Sequence, residues 1–282
     1  MTRSWVLTII LPITALKSGR ADMSHTQLDV DLIHRTLAGR TVGCKVVHHD
    51  TLASTMDEAR ALAERGEPDG TVVVVEEQTA GRGRFARAWV SPRSQNLSFS
   101  AVLRPTAPQL PYVNMAATLA VARCVAETTK RAATIKWPND VHIGGRKISG
   151  ILIETAMAGA QVDYAIVGIG VNVNFDPSAY PEIASTATSL YRETGQKKDR
   201  SEILGHVLTE FDNLYCAVRS GKSLTDEWAA MLETLGRTVQ VRWKERVLEG
   251  RAEAVDDQGN LVLMGADGTS TTVTAGEVTL QI

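Results

Sequence analysis

The stretch EEQTAGRGRFARAWVSP, from Glu76 to Pro92, marks the point where a run of strand-forming residues gives way to a loop of glycines and arginines. The residues ahead of it, Thr71–Val75, include four valines in succession, and such β-branched side chains predict a buried strand. Gly81 and Gly83 lack a Cβ, so the backbone there can approach a ligand closely. The loop therefore starts from a rigid strand and has glycine hinges that would let it close over a ligand.

Three arginines give the same loop its charge: Arg82, Arg84 and Arg87. A guanidinium group matches the oxygens of a carboxylate or phosphate with two parallel hydrogen bonds, which suits an anionic ligand. Taken alone, a Gly/Arg-rich loop is more often a solvated surface turn, and similar arms enter the minor groove of DNA. It is not a P-loop, because no lysine followed by Ser or Thr completes that pattern. The interpretation as an anion site therefore depends on the rest of the chain.

The composition is that of an ordinary soluble globular protein. The 282 residues, 44% hydrophobic and 22% charged, are enough for one large domain and one small one. A formal net charge of −2 argues against a protein that holds nucleic acid by bulk electrostatics. Three widely spaced cysteines predict a reducing, cytoplasmic location, and neither cysteines nor histidines have metal-ligand spacing. We expect no membrane partner and no metal centre built from protein ligands alone.

The N-terminal segment differs from the rest of the chain. Arg3 and the apolar residues from Trp5 to Leu16 resemble a secretory signal, but Pro12 interrupts them and no small-residue cleavage site follows. The run is also too short for a membrane span, which takes about 20 residues. We interpret residues 1–23 as a dispensable tail or a start-site artefact, with translation beginning at Met23.

Hydrophobic periodicity in residues 24–235 predicts an α+β domain, a mixed sheet with several hairpins and a few helices on one face. Ser54 or Thr55 is a candidate N-cap for a helix that runs to about Arg65. Pro138 interrupts a strand at Thr134–Val141, because proline lacks the N–H donor. The other expected elements are helices at Gln27–Leu37, Tyr112–Thr129, Ser201–Arg219 and through Trp228 and Leu232, strands at Lys45–His49, Lys147–Glu154 and Val162–Val173, and a half-buried strand at Asn96–Leu103.

Residues 236–282 have a different pattern, of short strands separated by turn signals. Asp257–Asn260 and Ala266–Gly268 are typical of hairpin turns. We expect a small β-barrel here, which forms a second domain after the larger one. Its expected strands are Thr238–Trp243, Val247–Val255, Leu261–Met264, Thr271–Thr274 and Val278–Gln281.

Four motifs in separate parts of the chain occur in a fixed order: EEQTAGRGR at 76–84, KWPND at 136–140, GRKISGILIE at 145–154 and GIGVNVN at 168–174. Together they closely resemble the biotin protein ligases, and the resemblance extends from about Lys45 to Ile282. It implies a mixed α/β sheet domain related to class II aminoacyl-tRNA synthetases, followed by an SH3-like barrel. It also implies an enzyme that activates biotin with ATP and attaches it to a lysine of a carrier domain.

The resemblance implies a biotin site at the start of a helix and in the Gly/Arg-rich loop. Ser54, Thr55 and Gln78 fall where the family holds the ureido and ring atoms of biotin. The two hydroxyls are also sufficient as helix caps, and the two roles are compatible. The complete set of expected biotin-binding residues is Ser54, Thr55, Gln78, Gly81, Arg82, Lys147 and Gly150.

The resemblance also implies a nucleotide site beside it. Trp89 occupies the place of an indole that packs against adenine. Lys147 is the expected catalytic lysine, with Lys136 as the alternative. Arg82 is a second catalytic residue, and Asp140 is the carboxylate expected to assist the incoming acceptor lysine. The expected ATP-binding or adenylate-binding residues are Arg82, Arg84, Arg87, Trp89, Lys136, Asn139, Lys147 and Asn172.

These residue types fit the chemistry independently of the family. A carboxylate that attacks the α-phosphorus of ATP is one anion approaching another, so fixed cations must offset the charge on the phosphoryl oxygens. Lys147 can supply one positive charge, and Mg²⁺ held mainly by the phosphates of ATP can supply more. An acceptor lysine must then lose a proton, which a carboxylate such as Asp140 would promote.

Several alternatives stay open from the sequence. A lipoate or octanoate ligase shares the core fold, although the full Gly-Arg-Gly-Arg loop with KWPND favours biotin. A DNA-binding biotin repressor needs an N-terminal helix-turn-helix domain, and about 20 residues between Met23 and the first strand are too few for one. We expect a biotin carboxyl carrier domain of a carboxylase as the partner, no DNA, and either a monomer or a homodimer.

The chain departs from the commonest family pattern at two places. Met56 follows Ser54 and Thr55 where asparagine is frequent, so one polar contact near biotin is not expected here. Phe85 and Ala86 replace an Arg-Gly pair, which predicts a stiffer and less basic loop.

Overall fold

Two β-sheets with packed helices make up the part of the chain that the structure describes. A computed structural model describes residues 27–243 and 246–280. The expected tail at 1–23 and the expected start at Met23 lie outside these residues. Within them, no helix is both long enough and apolar enough to cross a bilayer.

The larger sheet is mixed and has the strand order β1-β2-β3-β7-β6-β5-β4. β1 and β2 are parallel, and every other neighbouring pair in this sheet is antiparallel. A parallel pair needs a crossover, and a helix that follows β1 provides it. The strands are β1 (Lys45–Leu52), β2 (Thr71–Gln78), β3 (Leu97–Leu103), β4 (Thr134–Lys136), β5 (Asp140–Ile143), β6 (Arg146–Ala158) and β7 (Gln161–Val171).

Helices cover both faces of this sheet, so the expectation of helices on one face was wrong. The crossover helix packs on one face in an apolar cluster that includes Met56, Val73 and Val102. The long central helices pack on the other face, because apolar residues cover most of the surface of the first of them. The helices are α1 (Val30–Thr36), α2 (Thr55–Glu64), α3 (Leu110–Thr129), α4 (Leu190–Thr194), α5 (Arg200–Arg219) and α6 (Thr225–Met231).

β3 is buried along its whole length, whereas its alternation predicted a half-buried strand. Leu97, Phe99 and Leu103 belong to the main core, as expected. The opposite face is also covered, because α2 packs there and contributes to the apolar cluster that includes Val102. The small polar residues on that face are buried too, since Ser100 is fully covered.

Several helices and strands begin or end at residues other than those that the hydrophobic periodicity predicted. α1 begins at Val30, three residues later than expected, because the Asp29 side chain accepts a hydrogen bond from the Leu32 N–H and caps the helix there. β1 continues to Leu52 because it pairs with β2 as far as Gln78. The break expected at Pro138 within Thr134–Val141 is present as a turn at residues 137–139, and the segments on either side, β4 and β5, pair antiparallel.

The second sheet is antiparallel and has the order β11-β10-β9-β8-β12. Its strands are β8 (Thr238–Trp243), β9 (Arg246–Val255), β10 (Leu261–Met264), β11 (Ser270–Val273) and β12 (Glu277–Leu280). Both expected hairpins are present, since β9 pairs with β10 and β10 with β11. Its inward side chains, such as Val239, Val241 and Leu263, join the same apolar cluster as α3 and α5. The α+β fold with a small C-terminal sheet is confirmed, whereas barrel closure, the synthetase-like class and the domain boundaries stay predictions.

The sheet is joined to α5 by a buried ion pair just before the Gly/Arg-rich loop. Oε2 of Glu76 lies 2.5 Å from the Arg200 guanidinium, and both side chains are at most 1% exposed. The other carboxylate oxygen accepts a hydrogen bond from the Leu28 N–H at 2.8 Å and lies 3.2 Å from His48 Nε2. Glu76 thus holds the end of β2, and with it the start of the loop, against α5 and the α1 segment.

Candidate active site

A cavity of about 480 Å³ lies over one face of the larger sheet. Its floor is formed by residues of β5, β6 and β7, and the Gly/Arg-rich loop at 82–90 forms one wall. Residues 276–278, at the start of β12, line another part of it. The two sheets and the loop therefore enclose the same space.

The cavity brings together residues from every segment that the sequence singled out. Gly81 is the one expected site residue that does not line it. The expected residues that do are Ser54, Thr55, Gln78, Arg82, Arg84, Arg87, Trp89, Lys136, Asn139, Asp140, Lys147, Gly150 and Asn172.

A hydroxyl and amide cluster forms one end of the cavity, where α2 begins. The Gln78 Oε1 accepts hydrogen bonds from the Thr55 N–H at 2.8 Å and from the Thr55 hydroxyl at 3.1 Å. The Thr55 hydroxyl also lies 2.8 Å from Ser100 Oγ. Ser54 is the N-cap of α2, because its hydroxyl accepts from the Met56 N–H at 3.3 Å. The Gln78 carboxamide is thereby oriented by its oxygen, which leaves its NH₂ group as a fixed donor.

Gly81 lies behind this cluster and shapes the loop. A Cβ there would come within 2.7 Å of the Trp89 carbonyl and 2.9 Å of Gln78 Nε2. The Gly81 carbonyl accepts a hydrogen bond from the Trp89 N–H at 2.9 Å. The absence of a side chain therefore lets the two arms of the loop close on each other and brings the indole back over the sheet.

Lys147 is held above the floor by a carboxylate and by a glycine. Its Nζ lies 2.8 Å from Oδ1 of Asp140, on the neighbouring strand β5. Gly150 is the residue paired with Asp140, and a Cβ at Gly150 would come within 2.9 Å of both Cε and Nζ of Lys147. The Lys147 N–H also donates to the Thr186 carbonyl at 2.8 Å. The ammonium thus has a fixed position in which one glycine makes room for it.

Trp89 lies against β7 in a similar way. A Cβ at Gly170 would come within 2.3 Å of the indole Cε2, so only glycine leaves space for the ring. The Lys147 ammonium is 5.9 Å from the centroid of the ring. The indole Nε1 is buried and has no hydrogen-bond partner in the part of the chain that the structure describes. A flat aromatic surface beside a cation thus presents an unused donor in the cavity.

The three loop arginines have different partners. Arg82 makes two hydrogen bonds of 2.7 Å to the Asp57 carboxylate on α2, and these bonds keep the pKa of Asp57 below its ordinary value. Arg84 donates to Asn139 Oδ1 at 2.9 Å and to the Gly276 carbonyl at 3.0 Å. Its burial lowers the pKa of the guanidinium. Arg84 therefore ties the loop to both sheets, whereas Arg82 is held outward.

The side chains of Arg87 and Phe85, in the same loop, are more exposed. Arg87 lies 2.6 Å from Glu277 on β12, and both side chains are substantially exposed. Phe85 has a φ of 56°, a left-handed conformation that is uncommon for a bulky residue, and its ring is half exposed. The Arg84 guanidinium packs 4.9 Å from the Phe85 ring centroid. The left-handed backbone at Phe85 thus places conformational strain within the loop.

The two asparagines are anchored to the floor. Asn139 donates to the Ile151 carbonyl at 2.6 Å, which leaves its oxygen for Arg84. Asn172 donates to the Thr188 carbonyl at 2.9 Å and accepts from Asn96 at 3.3 Å. Both amides are therefore oriented before any ligand arrives.

Comparisons with known proteins agree with this geometry. Residues 49–172 match the Biotin/lipoate A/B protein ligase family, and residues 234–280 match the biotin protein ligase C-terminal domain. The chain is 35% identical to the bifunctional ligase/repressor BirA of Bacillus subtilis, over 82% of this chain and 73% of that protein. The chain belongs to the biotin protein ligase family. It is accordingly an enzyme of the ligase class.

Other members of the biotin protein ligase family are similarly related to the chain. The biotin--[acetyl-CoA-carboxylase] ligase of Paracoccus denitrificans is 34% identical, over 76% of this chain and 92% of that protein. The structure of the Aquifex aeolicus biotin protein ligase in complex with biotin and ATP is 30% identical, with a TM-score of 0.71. That match covers 84% of this chain and 99% of the other.

The structure adds residues that the sequence reasoning missed. His142 lines the cavity from β5 and lies 2.8 Å from Glu233, which follows α6. His142 is two residues from Asp140, so the period of a strand would have placed both on the same face. Glu233 and the cavity residues 276–278 had no local signal, because their contacts with the ligase sheet join segments far apart in sequence.

The charged groups of the cavity do not form a metal cluster of their own. In residues 27–243 and 246–280, no group of three or more His, Cys, Asp or Glu side chains could hold a metal ion. Asp140, the carboxylate nearest to the floor, is paired with Lys147.

Proposed function

We propose that the protein activates biotin with ATP to biotinyl-5′-AMP, releases pyrophosphate, and then transfers biotin to a lysine of a biotin carboxyl carrier domain of a carboxylase. One observation carries the proposal: the fixed ammonium of Lys147 shares a cavity with the arginine loop and with the polar cluster at the start of α2. A site for a carboxylate, a phosphate and a urea-like ring needs these three features together.

The polar cluster suits the head group of biotin. The ureido ring presents one carbonyl acceptor and two N–H donors, and the Gln78 NH₂ together with the hydroxyls of Ser54 and Thr55 supplies complementary groups. Met56, Phe99 and Ile169 line the same cavity and give an apolar surface for the sulfur-containing ring. Burial of the ring on these residues would direct the carboxylate of biotin toward Lys147.

The cations of the site suit the first half-reaction. The biotin carboxylate forms a bond to the α-phosphorus of ATP while the bond to pyrophosphate breaks, and negative charge accumulates on the phosphoryl oxygens. The Lys147 ammonium is held in place before the reaction, so it can stabilise this charge without reorganisation. ATP would enter as its magnesium complex, with the ion as part of the substrate. Lys136, Asn139 and Asn172 lie around the same space.

Trp89 and the loop suit retention of the adenylate. The indole lies over Gly170 and would pack against adenine, with its free Nε1–H available to a nitrogen or oxygen of the nucleotide. Arg82 would leave Asp57 for the phosphate, because both are anions that a guanidinium binds with two hydrogen bonds. With the loop tied down through Arg84, water would be kept from the mixed anhydride.

One experiment tests the proposal directly. The protein is incubated with biotin, ATP, Mg²⁺ and a purified carrier domain, and intact-mass spectrometry measures the carrier. We expect a mass increase of one biotinyl group, loss of the increase without ATP, and pyrophosphate release that requires biotin. Lipoate or octanoate in place of biotin serves as the matched substrate control. Modification by those acids and not by biotin would assign the protein to the other branch of its family.

A further inference from the structure

His142 and Glu233 form a buried pair of titratable side chains at the wall of the cavity. Nδ1 of His142 lies 2.8 Å from Oε1 of Glu233, and the side chains are 8% and 10% exposed. The contact falls short of a linear hydrogen bond, and neither atom has another hydrogen-bond partner in the described part of the chain. The two groups therefore depend on each other for their polar interaction.

Glu233 is held in place by β4. Its second carboxylate oxygen accepts a hydrogen bond from the Thr134 hydroxyl at 2.5 Å, and its N–H donates to the Ile135 carbonyl at 3.0 Å. Burial alone would raise the pKa of Glu233, but the contacts with His142 and Thr134 hold that pKa below its ordinary value. A charged carboxylate beside Nδ1 favours the imidazole form in which Nδ1 carries the proton.

The other ring nitrogen of His142 is then a base. With the proton on Nδ1, Nε2 has a free lone pair, and His142 lines the cavity. No other described residue makes a hydrogen bond to Nε2. This is the arrangement in which a carboxylate orients a histidine so that its outer nitrogen can accept a proton from a substrate.

The charged side chains near His142 include the lysines and the carboxylate already described at the cavity floor. On the same face of the sheet, Lys136 on β4 lies directly opposite Asp140 on β5. His142 on β5 lies directly opposite Lys147 on β6. Arg237 adds positive charge near Glu233. Because Asp140 already neutralises Lys147 at 2.8 Å, a proton taken up by Asp140 would weaken that ion pair. His142 has no such conflict.

The two half-reactions differ in what they need. Adenylate formation needs positive charge near the phosphoryl oxygens, and the Lys147 ammonium supplies it. The transfer step needs a proton acceptor, because an acceptor lysine is protonated at neutral pH and its ammonium has no lone pair. A histidine that lines the cavity, with a carboxylate beside its inner nitrogen, offers such an acceptor at Nε2 and therefore matches the transfer step.

We propose that His142 is the proton acceptor for the carrier lysine and that Glu233 is its positioning residue. This inference rests on the proposed function. Nε2 takes a proton from the lysine ammonium, and the freed lone pair attacks the acyl carbon of the biotinyl adenylate. The C–N bond forms while the C–O bond to the phosphate breaks, AMP leaves as an anion, and the second excess proton of the nitrogen passes to water.

The test measures the two half-reactions separately in the full-length protein. Pyrophosphate exchange gives the adenylation rate, and a single turnover of preformed adenylate with the carrier domain gives the transfer rate. For His142→Gln at pH 7, we expect the ratio of transfer to adenylation to fall about 100-fold, within the range for loss of a general base. Asp140→Asn is the matched comparison and should reduce adenylation first, because it releases Lys147.

Two further measurements separate proton transfer from a structural role. The loss of transfer rate in His142→Gln, relative to the unsubstituted protein, should become smaller as the pH rises toward about 10. At that pH lysine is increasingly unprotonated without a protein base. It should also be much smaller when hydroxylamine, which is unprotonated at neutral pH, replaces the carrier lysine. Glu233→Gln, which keeps an acceptor for Thr134, should give a milder defect with the same pH trend.

Three outcomes would overturn the inference: equal loss in both half-reactions, transfer unchanged in His142→Gln, or a defect that does not depend on pH. A failure of the proposed function looks different, because the unsubstituted protein would then transfer no biotin at all. Thermal unfolding of both variants identifies a loss of fold. If His142→Gln does not fold, the pH trend of Glu233→Gln decides, and its absence counts against the inference.

Discussion

The Nζ of Lys147 and the Oδ1 of Asp140 lie 2.8 Å apart on neighbouring strands, over a glycine that leaves room for the ammonium. The pair fixes a positive charge on the cavity floor. Its carboxylate partner is thereby engaged before any substrate binds, which limits what else that carboxylate can do. This relationship determines the first prediction.

Lys147→Met should reduce biotin-dependent pyrophosphate exchange about 100-fold or more, the scale for loss of one donor aimed at the developing charge. Methionine keeps the unbranched chain as far as Cε and removes only the ammonium, so the packing of Cε over Gly150 should survive. Lys45→Met is the control, because Lys45 pairs with Glu67 and does not line the cavity. Exchange at the unsubstituted rate in Lys147→Met would remove the lysine from the mechanism.

Gly170→Ala should weaken ATP binding, because the added methyl group would lie 2.3 Å from the Trp89 indole and push the ring from its place. We expect the KM for ATP to rise about tenfold, in line with loss of one stacking contact of about 1–1.5 kcal/mol. Steady-state exchange kinetics at varied ATP measure it. In a Trp89→Ala background the same change should have little further effect, and additive effects would show that the glycine acts elsewhere.

Arg82→Ala should speed the release of biotinyl-AMP about 10-fold to 100-fold, the range for a charged hydrogen-bonding group worth about 1.5–3 kcal/mol. Asp57→Asn should act in the opposite direction, because it removes the carboxylate that holds Arg82 outward. Stopped-flow fluorescence of adenylate dissociation follows both variants. Identical release rates in all three proteins would exclude Arg82 from the clamp.

Arg200→Met should cost about 3–5 kcal/mol of unfolding free energy, since it leaves the Glu76 carboxylate buried without its cation. Burial alone would raise the pKa of Glu76, but the Leu28 N–H and Arg200 hold that pKa below its ordinary value. The stabilisation is therefore present above the unfolded pKa of about 4.3 and is lost as pH falls through the folded pKa.

Urea unfolding at pH 7 and at pH 3 measures this difference. Arg93→Met is the control, because the exposed Arg93–Asp50 pair should contribute less than about 1 kcal/mol. A cost for Arg200→Met that is as small as the control, or that does not shrink in acid, would contradict the prediction.

Sequence patterns located the strands and the long helices because burial repeats with a fixed period. They failed where packing against another element decides the burial of a strand. β3 was expected to be half-buried, but α2 covers its second face, and the sequence of the strand does not show that contact. The start of α1 was missed because Asp29 is a better cap than the residues before it.

The site was predictable where chemistry is concentrated in short motifs, as with Arg82, Lys147 and Asn139. Glu233 and Glu277 were not: Glu277 lines the cavity and Glu233 contacts the cavity residue His142, and neither belongs to a motif. The outward position of Arg82 was also hidden, since its partner Asp57 lies 25 residues earlier, in a helix outside the loop motif.

The carbonyl of Gly276 that receives Arg84 belongs to the main chain, so side-chain changes at neighbouring positions leave the acceptor in place, whereas a Cβ at Gly276 itself would come within 2.5 Å of Val241. Side-chain substitutions elsewhere in the C-terminal sheet would thus leave the attachment of the loop intact. A shift of β12 by one residue against β8 would instead move the carbonyl by about 3.3 Å and break the bond. The register of two strands in the C-terminal sheet, more than the identity of their side chains, would then set how firmly the enzyme holds its intermediate.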